Sequence, residues 1–305
     1  MTEAELLERL RRVTVWKQGG IRAPHKPLLI LLALARVAQN KPRLMRFYEV
    51  EPLLRQLLME FGPPRKSNHP EYPFWYLRNN HIWEEQHAED LKLKKNHRDP
   101  RIEEIRKVSG GFLPEAYKLL ESHLKVLRAA ASEMLKANFP ESLHDEILGA
   151  VGLALENTEA ERPSRDPEFR TVVVRAYQHR CAVCGFDIRL GMADLGLEAA
   201  HIRWHQAGGP DRVGNGLCLC VMHHRLFDRG ALGFTDERQL LVSEEVHGTS
   251  GLEEWLFRFE GKTINRPQRE SYLPQPEFLL WHRSEVFKSP AREKVRARAE
   301  EASRS

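Results

Sequence analysis

The chain has 305 residues, enough for two domains of ordinary size, and 41% of them are hydrophobic, so each half can bury a core. Net charge is only +4, so composition alone does not mark the whole chain as a polyanion binder. The longest apolar run, Leu28 to Ala35, is far short of the roughly 20 residues that span a bilayer, which excludes a membrane helix there and leaves a soluble, cytoplasmic protein as the expectation.

In chain order, Thr2 and Glu5 form a capping box, and a helix is expected from there towards Trp16, broken by Gly19-Gly20. Pro27 suits the first turn of a second helix over Leu28 to Gln39. A third, over Glu51 to Phe61, carries Leu53, Leu54, Leu57, Leu58 and Phe61 on one side, and Gly62-Pro63-Pro64 ends it. Tyr72 to Leu77 reads as a short aromatic strand whose proline confines it to an edge or pocket wall. Helices over Glu115 to Ala137 and Ser142 to Leu155 close a first domain, 1–158. The polar stretch from Glu156 to Arg165 reads as a linker.

A second domain, 166–290, opens with a helix over Pro167 to Tyr177 capped by Asp166, and has a strand over Leu197 to His201 and a helix over Val221 to Phe227. His205 to Gly216 reads as loop. Gly251 to Arg292 reads as a packing extension, and residues from Lys288 on, with 291–305 above all, as a charged tail. Two runs carry cations without acids: Arg9 to Tyr48 has ten Lys or Arg, and Leu91 to Arg98 has four. Such runs are either solvated surface or a footprint for a polyanion.

Chemistry concentrates in the second domain. All four cysteines lie between Cys181 and Cys220, a clustering that fits a metal in a reducing compartment better than disulfides. Cys181-x2-Cys184 and Cys220-x2-His223 have the spacing of a tetrahedral structural zinc site; Cys218 is an alternative to Cys220 as ligand, but the x2 spacing to His223 favours Cys220 and makes Cys218 a packed thiol. His201, Asn215 and His224 have no place in that tetrahedron. They supply what hydrolysis of a phosphodiester needs. His201 is expected as general base, Asn215 as the amide that holds the His201 loop, and His224 as ligand of a second, catalytic cation such as Mg²⁺ or Mn²⁺. His205 and His282 read as ordinary surface or core histidines.

Residues Tyr177 to Gly230 resemble an HNH endonuclease of the McrA-like type. The matching residues are Cys181 and Cys184, Ala199-Ala200-His201-Ile202, Asn215-Gly216-Leu217, Cys220 to His224, and Phe227-Asp228. The resemblance implies metal-dependent DNA cleavage beside a structural zinc. Many such enzymes carry aspartate just before the base histidine. Here that position is Ala200, and Glu198, two residues back on the same strand face, is the candidate carboxylate, with Asp228 as a supporting group.

The first domain resembles the sulfur-binding domain that recognises phosphorothioated DNA in McrA-like restriction enzymes. The likeness rests on Arg22-Ala23-Pro24-His25-Lys26-Pro27-Leu28-Leu29 and on His69 to Trp75. It implies a sulfur pocket with Tyr72 and Pro73, a rim that includes Arg22, and Arg98 nearby; His25, Lys26 and Tyr76 are expected at the same DNA face.

The expected fold is α+β: a mostly helical DNA-reader domain, then a zinc-stabilised ββα-metal HNH domain. The expected function is modification-dependent cleavage of phosphorothioated double-stranded DNA. A non-catalytic reader of modified DNA, and an HNH nuclease that reads methylated or unmodified DNA, remain alternatives. Cutting two strands with one small site suggests a homodimer or two binding events.

Overall fold

The computed structural model describes residues 1–13, 23–88, 91–94, 96, 98–153 and 167–292. Gly19-Gly20, Arg22, the linker stretch, the Asp166 cap and residues 293–305 lie outside this set. The chain divides into two compact units, Met1–Asn157 and Thr158–Ser305.

The first unit is built round one apolar helix. Its helices are α1 (Glu3–Arg11), α2 (His25–Ala38), α3 (Phe47–Phe61), α4 (Glu71–Tyr76), α5 (Ile102–Ile105), α6 (Pro114–Ser122), α7 (Leu124–Asn138) and α8 (His144–Val151). The Thr2–Glu5 capping box is formed and starts α1. Leu28 to Ala35 are all buried, because α2 packs against α3, α4, α6, α7 and α8. A helix enclosed on every side is apolar all round.

Two expectations for this unit are corrected. Tyr72 to Leu77 is not a strand: Tyr72 to Tyr76 lie in α4, and a 3-10 turn begins at Leu77. Aromatic content argued for β structure. However, Pro73 is the third residue of α4, where its missing N–H has no intrahelical acceptor to lose. The long helix over Glu115 to Ala137 is broken at His123, whose φ of −133° and ψ of 88° separate α6 from α7.

A three-stranded antiparallel sheet in this unit was not expected: β1 (Met45–Arg46), β3 (Ser109–Phe112) and β2 (Trp83–Gln86), in that order. Its central strand reads Ser-Gly-Gly-Phe, poor in strand formers. Close approach explains the glycine at 111, where a Cβ would sit 2.2 Å from the Arg43 carbonyl oxygen.

The second unit carries α9 (Pro167–Ala176), the hairpin β4 (Arg189–Leu190) and β5 (Ala193–Asp194), the pair β6 (Leu197–His201) and β7 (Gly216–Cys220), α10 (Val221–Asp228), the pair β8 (Leu232–Phe234) and β9 (Leu240–Val242), α11 (Leu252–Trp255) and α12 (Pro276–Glu285). β6 and β7 are antiparallel, with Leu197 opposite Cys220 and His201 opposite Gly216. α9 packs on both strands, and α10 packs back on the same pair. Phe169, Val173, Ala199, Leu217, Leu219 and Phe227 share one core with the thiols of Cys181, Cys218 and Cys220. Lys288 to Arg292 are not loose tail. Lys288 N–H donates to the Gly230 carbonyl (2.9 Å), Arg292 N–H to that of Val242 (2.9 Å), and Ala291 bridges Ser243.

Candidate functional site

The four outer ligands converge. The Sγ atoms of Cys181, Cys184 and Cys220 and one ring nitrogen of His223 all lie within 4.8 Å of one another. Cys184 Sγ is 4.0 Å from Cys220 Sγ, and His223 Nδ1 is 3.1 Å from Cys220 Sγ and 3.8 Å from Cys181 Sγ. A tetrahedral zinc, with bonds of about 2.3 Å to sulfur and 2.0 Å to nitrogen, spans ligand pairs about 3.3–3.8 Å apart, so the set fits that ion.

The fold prepares each ligand. The Cys181–Cys184 knuckle is closed by Gly185 N–H on the Cys181 carbonyl (2.9 Å), and Cys220 and His223 flank the start of α10. His223 Nε2 donates to the Trp255 carbonyl oxygen at 2.9 Å, which fixes the tautomer and leaves Nδ1 for the metal. Hydrogen bonds from Cys184 and Cys220 hold the Cys181 thiol far below its ordinary value, while the contacts with Cys181 and Cys220 push the Cys184 thiol up. Cys218 stands outside the cluster, and burial pushes its thiol up to about 12, so it remains a neutral core residue.

The inner set lies on the same β6–β7–α10 frame. Asn215 is fully buried just before β7. Its Oδ1 accepts from Arg203 N–H (2.8 Å), and its Nδ2 donates to the carbonyls of Arg203 and Pro210 (both 3.0 Å). One amide thus ties both ends of the loop that follows His201. The His201 ring stacks on Phe169 with centroids 4.0 Å apart, and its Nε2 meets Asp211 Oδ1 at 2.7 Å. Burial draws the His201 pKa below its ordinary value, and Asp211 pulls it back part of the way.

His224 is buried between two carboxylates, with Nδ1 2.6 Å from Glu198 Oε2 and Nε2 3.1 Å from Asp228 Oδ2. Burial opposes its charge, but Asp228 and then Glu198 hold its pKa up to about 9. Ala200 is fully buried opposite Leu217, and Glu198 presents the carboxylate of this strand.

Sequence reasoning missed three participants here. Asp211 and Phe169 have no fixed spacing from His201, and the group that orients His223 is the Trp255 backbone carbonyl, which has no side-chain signature. The extension over 251–292 gains a role from the same contacts. Arg212, next to Asp211, donates to Gln275 (2.9 Å) and Glu277 (2.8 Å), so α12 braces the loop that holds the base. Of the two histidines read as ordinary, His282 is buried with Nε2 3.0 Å from the Phe227 carbonyl, and His205 is exposed at the rim near Asp211.

In the first unit, α2, which begins with His25 and Lys26, packs against α4, which carries Tyr72 to Tyr76. Burial lowers the pKa of both side chains, and Lys26 Nζ donates to Asn80 Oδ1 at 2.7 Å. Tyr72 is half-buried. It stacks on His69 (4.8 Å between centroids), and Lys94 Nζ lies 3.3 Å from its hydroxyl. Tyr76, one turn on, meets Tyr72 edge-to-face at 6.3 Å and donates to Asp99 Oδ1 at 2.5 Å, a bond that pushes its pKa up to about 12. Pro73 is buried, so Tyr72 and Tyr76 form most of the open surface at this point. Asn96 Oδ1 accepts from the N–H groups of Arg98 and Asp99 (both 3.1 Å), which fixes the loop carrying exposed Arg98.

Beside Tyr72, Arg55, Ser67, His69, Lys94 and Arg101 line a cleft of about 320 Å³ that sequence reasoning did not anticipate. The cation run from Arg9 to Tyr48 is not a continuous free surface. Arg11 pairs with Glu133 (3.0 Å), Arg12 with Glu8 (2.7 Å) and Arg43 with Glu84 (2.6 Å), acids that lie outside the run.

Among the described residues no helix is long and apolar enough to cross a membrane. Residues 3–156 match the family described as ScoMcrA-like, DNA sulfur-binding domain, and residues 181–235 match the HNH endonuclease family. No curated protein matches the chain. Among solved structures, the sulfur-binding domain of ScoMcrA complexed with phosphorothioated DNA is 25% identical over 48% of this chain and 94% of that one, with a TM-score of 0.44. The ScoMcrA sulfur-binding and SRA domains in such a complex are 25% identical over 63% of this chain and 58% of that one, at a TM-score of 0.47. The type IV phosphorothioation-dependent restriction endonuclease ScoMcrA matches over 48% of this chain at 25% identity and a TM-score of 0.42, and this chain spans only 32% of its length. With its sulfur-binding match covering half the chain, and an HNH endonuclease domain behind it, this protein belongs to the ScoMcrA-like DNA sulfur-binding domain family.

Proposed function

We propose that the chain binds phosphorothioated double-stranded DNA through its first unit and hydrolyses a nearby phosphodiester with its second. One observation carries the nuclease half. A closed Cys3His cluster that needs no further donor stands beside a separate set in which His224 lies between Glu198 and Asp228. The two carboxylates flank opposite nitrogens of the ring, so the deprotonated imidazole with one of them would supply the nitrogen and oxygen donors that suit a hard divalent cation such as Mg²⁺ or Mn²⁺. Bound there by His224 with Glu198 or Asp228, that ion would neutralise charge on the scissile phosphate and the leaving oxygen.

The remaining work falls to the chain. Asp211 accepts a hydrogen bond from His201 Nε2–H, which leaves the Nδ1 lone pair to take a proton from water. Phe169 keeps the ring in plane, and Asn215 prevents its loop from drifting. Because burial already lowers the His201 pKa, the base form persists below the usual imidazole range, and cleavage falls only as pH drops through that lowered value. Asp211→Asn removes the group that raises this pKa. The acid limb of the pH–rate profile is then expected to move to lower pH while the plateau falls by roughly tenfold or more. A plateau loss with an unmoved limb rejects the Asp211–His201 pairing.

For the reader half, sulfur in place of a non-bridging oxygen is larger, softer and a weaker acceptor. The rings of Tyr72 and Tyr76 on α4 offer carbon, and their hydroxyls are engaged by Lys94 and Asp99, so an oxygen set against the rings is stranded at a cost of about 1–3 kcal/mol. A phosphorothioated duplex is therefore expected to bind roughly 5- to 150-fold more tightly than a plain one of the same sequence. Direct competition between the two measures this, and equal affinity rejects the sulfur reading in favour of a nuclease for other DNA. Buried Ala200 favours a second reading, a reader without catalysis. Intact plasmid after incubation with Mg²⁺ or Mn²⁺ is the result that supports it.

A further inference from the structure

Three donors of metal-ligand type meet at the nitrogen of His201 that does not serve as the base. His201 Nε2 lies 2.7 Å from Asp211 Oδ1, and His205 Nε2 lies 4.0 Å from Asp211 Oδ2. All three side chains reach solvent: His201 is 23% exposed, Asp211 36% and His205 67%. The neighbouring arginines are committed elsewhere. Arg203 donates twice to the Ala207 carbonyl (3.0 and 2.8 Å), and Arg212 donates to Gln275 and Glu277. Asp211 thus faces an imidazole at each oxygen and neither arginine.

The loop sets the spacing of these donors. His205 opens a 3-10 turn, His205–Ala207, and Gly209 N–H closes it on the Trp204 carbonyl at 3.0 Å. Gly209 runs so near the start of the loop that a Cβ would sit 1.8 Å from the Arg203 carbonyl oxygen. Asn215 fastens Pro210, one residue before Asp211, at 3.0 Å. The backbone at 205 and 211 is therefore held, while the His205 ring makes no hydrogen bond to any described residue and can turn. Its centroid is 6.2 Å from that of His201, and two imidazoles on one tetrahedral ion stand about 5 Å apart, so a rotation that closes about 1 Å completes the set.

We propose that His201, His205 and Asp211 form a further metal site, which takes Zn²⁺ and switches cleavage off. Two imidazoles and one carboxylate favour Zn²⁺ over Mg²⁺, which prefers oxygen donors and keeps its waters. The site shares no residue with the Cys3His cluster or with the His224 set. It acts through the tautomer of His201. When Zn²⁺ takes Nε2, the Nε2 proton leaves to solvent, and a solvent proton fills the Nδ1 lone pair so that the ring stays neutral. The lone pair that receives the proton of the attacking water is then gone. Cleavage stops although the catalytic cation keeps its own ligands. This effect rests on the reading of His201 as general base; the binding of Zn²⁺ does not.

The test measures binding and cleavage separately. The zinc-loaded full chain is dialysed against excess Mg²⁺ and about 10 µM free Zn²⁺, enough to fill a site of micromolar affinity. Metal analysis is expected to find two zinc ions per wild-type chain and one per His205→Ala chain, the remaining ion reporting an intact Cys3His cluster. In parallel, nicking in Mg²⁺ is followed as free Zn²⁺ rises. Without added Zn²⁺ the two proteins should cut equally. With it, the wild type is inhibited, and His205→Ala needs at least about 10-fold more Zn²⁺, since even loss of a group behind a ligand costs that much. One zinc in the wild type, or two in His205→Ala, overturns the site. Equal inhibition of both proteins, or relief of wild-type inhibition by more Mg²⁺, puts the inhibitory ion in the His224 set and overturns the switch. A second zinc that depends on His205 in a chain that never cuts upholds the site and removes the nuclease reading instead.

Discussion

Replacing His201 with alanine is expected to lower strand cleavage by roughly 100- to 10,000-fold while leaving affinity for phosphorothioated duplex unchanged. The size follows from what the imidazole does. It takes the proton of the attacking water, and no other described group at this position is held so as to replace it. Asp211 touches the far nitrogen of the ring, and His205, its aromatic neighbour at 6.2 Å, is exposed, with its own Nε2 turned to Asp211 at 4.0 Å. Binding is spared because the reader residues belong to the other compact unit. Alanine also strips Phe169 of its stacked partner, so the second unit should melt somewhat earlier. His201→Gln keeps more of that contact and separates the two effects, since cleavage should fall equally in both variants. Plasmid nicking under single-turnover conditions, beside a binding titration, measures the pair. Cleavage surviving in either variant removes His201 as base, and joint loss of binding and cleavage removes the division of labour.

The residues of the nuclease frame could be read from sequence because the frame is local. His201, Asn215 and His224 fall within 24 consecutive residues, and one antiparallel pair followed by one helix brings them together. The register that sets His201 opposite Gly216 also delivers Asn215 to the base of the loop. Asp211 was invisible for the opposite reason. It reaches His201 only because Asn215 draws the loop closed between Arg203 and Pro210, a shape no spacing rule encodes. In the first unit, the apolar run of α2 announced a core helix, and burial on all sides agrees. Over Tyr72–Leu77 position outweighs composition: proline and aromatics favour an edge strand, but Pro73 occupies a first helical turn, where its missing N–H costs nothing. The three-stranded sheet escaped because its central strand holds two glycines selected for clearance rather than propensity.

Cys184→Ala is expected to unfold the second unit and leave the first one folded. Structural zinc in a small domain supplies about 10–16 kcal/mol of apparent binding energy, comparable to or larger than the roughly 5–15 kcal/mol by which a whole domain is stable. The cluster here joins the 181–184 knuckle, the end of β7, the first turn of α10 and, through His223, the Trp255 carbonyl. These segments otherwise share short strands of two to five residues, too little ladder to hold them alone. Hydrogen exchange should therefore show amides of 167–292 losing protection while α2 and α7 keep theirs, and a strong chelator should reproduce the pattern in the wild-type chain. Cys218→Ala is the control that makes the test specific. Its thiol is more deeply buried than that of Cys184 and only two residues from a ligand, but it lies outside the cluster, so its loss should leave bound zinc at one ion per cluster and lower stability by only about 1–2 kcal/mol through the small cavity it opens. A folded, protected second unit in the Cys184→Ala protein, or zinc lost from the Cys218→Ala protein, would show that the ion is not held by this tetrahedron.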